Sequence, residues 1–184
     1  VIEPSAGADR ATLAFLCDAF DESLVKEPPA EEATKLRELV LSFAKSVADH
    51  DAKAFAGHVE QDAAFSVDSP EPLRGRDEIT RQWDGIIQGK GLLLSWYPTR
   101  TTIAGAPDTA FSAGPALFED TRPGAKQRYR LGGFRSVWHR GPDGTWRVLF
   151  DGGQEPAPVT DAEAQAQPAN DKLAPPEQTL EWND

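Results

Sequence analysis

The chain has one cysteine, Cys17, three histidines and no methionine. A single cysteine excludes an internal disulfide framework, and three scattered histidines give no zinc-ligand spacing. Neither a metal nor a cofactor is therefore expected. Basic residues are scarce, 19 against 30 acidic ones, for a net charge of −11. That charge repels nucleic-acid phosphates and anionic lipid alike, which disfavours both as partners. No apolar run approaches the roughly 18 residues that cross a bilayer, so no membrane span is expected. Methionine is missing even at position 1, as expected of a processed chain, and export is favoured over a cytoplasmic location. What is present, 184 residues with 39% hydrophobic and 9% aromatic side chains, suits one core with appendages.

Leu13, Leu16, Cys17, Phe20 and Leu24 recur at helical spacing, so residues 1–30 are read as an extra amphipathic helix and linker, with Cys17 buried in it. A second helix is expected from Glu31 to Ala48, with Leu36, Leu39, Val40, Phe43 and Val47 on one face. Asp51 then reads as the N-cap of a third helix that carries His58. A short strand at Ala63–Val67, a loop on Ser69-Pro70 and a helix over Arg76–Gln88 follow. From Leu92 the period becomes that of sheet, with runs at LLLSWY, TTI, Thr109–Phe118, Gln127–Arg140 and Trp146–Asp151. Helices followed by a strand meander give an α+β fold in which a curved sheet buries the helical stripes. Residues 154–184 hold five prolines and one lysine against seven acids, and read as a flexible acidic tail in which Leu180 and Trp182 are exposed, with docking on a partner or on the body as the alternative.

The stretch SVWHRGPDGTWRVLFDGG contains a hairpin turn at Pro142-Asp143-Gly144. Trp138 and Trp146 flank it and are placed to pair across the strands. Asp151 has the parity of Arg147 and Leu149 and reads as a solvated strand-end acid, with contact to Arg135 or His139 as the alternative. Gly132-Gly133 permits a kink or bulge in a sheet that must curl.

Four strings, in order and spacing, resemble the nuclear transport factor 2-like superfamily in its ketosteroid isomerase and SnoaL-like branch: FAKSVADHDAKAFAGHVEQDAAF, LRGRDEI with Trp83, WYP, and GGFRSVWHRGPDGTWRVLFDGG. They cover Leu36 to Gly153, within a domain set at 31–153. The resemblance implies a cone: a curved mixed β-sheet wrapped on three to four helices, with an apolar cavity and a homodimer formed through the outer sheet face. It also implies acid–base chemistry on apolar substrates, using an aspartate base with a tyrosine and a protonated aspartic acid as oxyanion donors. At the matching positions stand Val67 followed by Asp68, Leu41, and Arg135 or Ser136. The ketosteroid isomerase set is absent, which implies a differently equipped pocket.

Asp68 is the candidate base, provided that a bulge near Ser69-Pro70 turns it inward; a turn aspartate capping that loop is the alternative. His139, which alternates with Val137 and Arg135, is the candidate titrating partner, and Arg135 or His139 the candidate oxyanion donor. Trp83, Trp96, Phe118 and Trp138 are the candidate pocket walls, although a closed core uses the same residues. Lys126-Gln127-Arg128-Tyr129-Arg130 reads as a solvated outer face, with steering of an anionic ligand as the alternative. The expected function is binding of a small, largely apolar molecule in the cone. The alternatives are an acid–base enzyme (isomerase, cyclase or dehydratase) using Asp68, and a protein-interaction domain.

Overall fold

A computed structural model describes residues 30–104 and 108–167. The expected N-terminal helix with Cys17, and Leu180 and Trp182, lie outside the described residues. Helix α1 (Ala30–Ala48) buries Leu36, Val40, Phe43, Ala44 and Val47, the stripe that its period demands. Helix α2 (Ala52–Gly57) starts at Asp51, whose carboxylate accepts from the Ala54 N–H at 2.9 Å. It ends one residue before His58, which caps the helix instead of lying within it. Strand β1 (Val59–Phe65) and the short β2 (Leu73–Arg74) lead to α3 (Arg76–Gln82) and α4 (Asp84–Ile87), two helical pieces that meet at Trp83.

The meander follows as β3 (Leu92–Trp96), β4 (Arg100–Ile103), β5 (Thr109–Asp120), β6 (Tyr129–Arg140) and β7 (Trp146–Val159), with α5 (Asp161–Gln165) after it. The strands form one seven-stranded sheet in the order β2-β1-β7-β6-β5-β3, with β4 also on β5. Among the described strands only β1 and β7 run parallel. The turn at 142–144 is present, and Gly144 supplies its positive φ of 76°. The flanking tryptophans do not pair. Trp138 opposes Val148, while Trp146 opposes Arg140 and takes its guanidinium on the ring at 5.3 Å.

Residues 154–159 are not a tail, which corrects the expected boundary. They continue β7, where Gly133 pairs with Gln154 and Tyr129 with Val159. Pro156 and Pro158 are tolerated because β1 pairs with β7 only as far as Asp151, leaving one edge of β7 free beyond it. Thr160 and Glu163 then form a capping box at the start of α5.

Two bulges bend β7. One lies opposite Gly132, the kink position read from the sequence, between the Leu131 and Gly133 pairs. The other lies at Leu149: Trp138 pairs with Val148 but Val137 pairs with Phe150. An extra residue on one strand reverses its side-chain parity. Val148 is therefore buried, Phe150 is 45% exposed on the outer face, and Asp151 turns inward opposite the buried Ser136.

Candidate functional site

The concave face of the sheet and the helices enclose an open cavity of about 710 Å³. Its apolar walls include Phe43, Trp83, Trp96, Phe118 and Phe134. Trp83 stacks on Phe55 with ring centroids 5.3 Å apart, and Trp96 meets Phe43 edge-on at 5.2 Å. Such contacts hold the walls in place. Three of the four expected wall residues, Trp83, Trp96 and Phe118, line the cavity. Trp138 does not. It is fully buried, donates its indole N–H to Ser112 Oγ at 2.9 Å and meets Phe43 edge-on, so it belongs to the core beneath the cavity.

The polar end of the cavity is made by Ser66, Asp68, Asp151 and the glycines after it. Ser66 follows β1 with a left-handed φ of 57°, and the Ser69 N–H bonds back to Ser66 O at 2.8 Å. This tight turn, rather than a bulge at Ser69-Pro70, swings Asp68 across the middle of β7. There its Oδ2 accepts the Gly153 N–H at 2.7 Å. A Cβ on Gly152 would overlap the Asp68 carboxylate, so a residue without a side chain is needed for that approach. Asp68 itself is exposed at the cavity rim.

Asp151 is the group that sequence reasoning misplaced. It accepts a hydrogen bond from Ser136 Oγ at 2.6 Å. Burial pushes its carboxyl pKa up to about 7; the Ser136 bond opposes this, and the nearby charge of Asp68 adds to it. Neutral and ionised forms therefore coexist near neutral pH. The parity reading failed because a bulge leaves no mark in the string WRVLFDGG.

His139 and Arg135 are not part of this site. Both lie on the outer parity of β6; Arg135 is exposed, and His139 Nδ1 lies 3.2 Å from Glu60 Oε1. His58 pairs with Ser42 Oγ at 3.2 Å, and its pKa is lowered by burial. Arg128 and Arg130 of the basic run, read as an outer face, line a second cavity of about 390 Å³. No cluster of three metal-ligating side chains occurs among the described residues, and no described helix is long and apolar enough to cross a membrane.

No protein-family model matches the chain. A glycine–tRNA ligase from Staphylococcus saprophyticus is 51% identical over 95 residues, 42% of this chain and 19% of the ligase. The chain thus spans about a fifth of that relative, too small a share to bring its activity. Solved structures are similar over most of the described fold. An NTF2-like protein with a cystatin-like fold from Novosphingobium aromaticivorans is 23% identical, covering 74% of this chain and 89% of that one at a TM-score of 0.56. A ketosteroid isomerase-like protein from Erwinia carotovora atroseptica is 11% identical, covering 67% and 95% at a TM-score of 0.56. The chain thus has the fold of these NTF2-like structures, an α+β cone of the cystatin-like type.

Proposed function

We propose that the cone binds a small, largely apolar molecule whose carbonyl or hydroxyl group hydrogen-bonds to Asp151. The observation that carries this reading is an inward carboxyl, raised to about 7, at one end of an aromatic-walled cavity of about 710 Å³. Pockets of this size and lining bury most of a drug-sized molecule, and a few polar groups orient it. A protonated carboxyl in such surroundings can donate a hydrogen bond to a ligand oxygen. Fluorescence of Trp83 and Trp96 reports occupancy: titration with apolar ketones and sterols is expected to change it saturably in wild type and at least about tenfold more weakly in Asp151→Ala. No response to any of them contradicts the reading.

A second reading, proton transfer by the same site, is favoured by Asp68. Two carboxyls in unlike surroundings divide into an acid and a base, and Asp68 is exposed while Asp151 is desolvated. Asp68 takes a proton next to the substrate carbonyl, and neutral Asp151 donates to the oxygen that becomes negative. Loss of α-proton exchange of a bound ketone in deuterated water by Asp68→Asn, with affinity retained, is the expected result. Exchange that persists in Asp68→Asn ends the enzyme reading and leaves binding alone.

A further inference from the structure

The inner face of the sheet continues past the aromatic walls to the rim of the cone, where the side chains are exposed. Along β6 the even positions Phe134, Ser136 and Trp138 face inward, and Arg130 continues that row, paired with Phe118 on β5. The bulge opposite Gly132 adds its residue to β7 and leaves the alternation of β6 intact. Phe118 and Pro156 line both the large cavity and the one of about 390 Å³ beside it, whose cationic lining is Lys90, Arg122, Arg128 and Arg130.

Three of these cations already have carboxylates. Arg122 Nε donates to Asp120 Oδ1 at 2.8 Å, Arg128 lies 2.6 Å from Glu119, and Lys90 lies 3.3 Å from Asp84. The hydrogen bonds from Arg122 hold the Asp120 carboxyl down at about 2, and the charge of Arg130 adds least to that. The Arg130 side chain has no hydrogen bond or ion pair among the described residues. In a chain of net charge −11, the row thus ends in an exposed guanidinium whose charge partner, Asp120, is already bonded to Arg122. From Ser136, beside Asp151, to Arg130 is roughly 20 Å at the rise of a strand.

Resting on the binding function above, we infer that the ligand is an elongated apolar acid: its body lies against the aromatic walls and its carboxylate is held by Arg130. A planar guanidinium matches a carboxylate with two parallel hydrogen bonds. One such cation balances a monoanion, whereas a phosphate dianion leaves a negative charge facing Asp120.

Dodecanoate, dodecanol and dodecyl phosphate, titrated into the protein and followed by tryptophan fluorescence below their micelle concentrations, test this. Dodecanoate is expected to bind about tenfold more tightly than dodecanol. Arg130→Gln is expected to remove that advantage while leaving dodecanol within about twofold of wild type. Equal binding of acid and alcohol by wild type, or an unchanged preference in Arg130→Gln, overturns the inference but leaves the cavity as a binding site. Tighter binding of the phosphate overturns the carboxylate assignment. Binding of none of the three overturns the inference together with the function it rests on.

Discussion

Ser136 donates a 2.6 Å hydrogen bond to Asp151 across the β6–β7 ladder, and the pair faces the cone because Leu149 bulges out of register between Val148 and Phe150. One extra residue in one strand thus decides whether this chain has an interior carboxyl. Without it, Phe150 points inward and Asp151 joins the outer face.

The raised pKa has a signed consequence for stability. Between the ordinary carboxylate value of 3.8 and about 7, folded Asp151 is protonated while unfolded Asp151 is ionised. The native state then binds more protons, so this group's contribution to stability falls as pH rises through that window, and the penalty is complete above it. The carboxyl opens on a solvated cavity, which reduces the effect to on the order of 1–3 kcal/mol. Denaturant titrations of wild type and Asp151→Asn at pH 4 and pH 8 are expected to show the variant gaining on wild type at the higher pH. A difference that does not change with pH contradicts the assignment.

Gly152→Ala places a methyl group where Asp68 now lies. The Asp68 carboxylate must move, and its bond to the Gly153 N–H is lost. The expected cost is about 1–2 kcal/mol in stability, together with loss of any proton exchange that depends on Asp68. Retention of full exchange in this variant detaches Asp68 from the chemistry.

Ser112→Ala leaves the buried indole N–H of Trp138 without an acceptor, since Ser112 Oγ is its partner at 2.9 Å. Stability is expected to fall by about 1–3 kcal/mol. Because Trp138 lies behind the cavity rather than in its wall, affinity for a bound ketone is expected to stay within about twofold. A large loss of affinity with little loss of stability returns Trp138 to the pocket.

Arg135→Ala and His139→Ala test the opposite face. Both side chains lie on the outer parity of β6, and neither lines the cavity. Ligand affinity and proton exchange are expected to be unchanged in both variants. A loss in either, measured by the same fluorescence titration, brings the outer face into the site.

Local signals made much of this fold legible. The Leu36–Val47 stripe is buried where its period put it, Asp51 caps α2, and Gly144 closes the hairpin. Each is a short-range rule that the chain obeys by itself. What was hidden depends on a neighbour. The Leu149 bulge exists in the pairing of two strands, the left-handed Ser66 in a turn that packs on β7, and the continuation of β7 past Gly153 in its ladder with β6. Gly153 looks like a breaker in sequence. In the fold, a side chain there would strike the Gly133 carbonyl, so the glycine permits the strand rather than ending it. Arg130 was hidden in the same way, since the alternation of β6 had no fixed inner face until Trp138 was seen to be buried.

The inward carboxyl is tested most directly by carbon NMR titration of the labelled aspartate side chains, with Asp151 assigned by its absence from Asp151→Asn. The expected midpoint for Asp151 is about 7. A midpoint near the ordinary 3.8 would place that carboxyl in bulk water and contradict the account of the site.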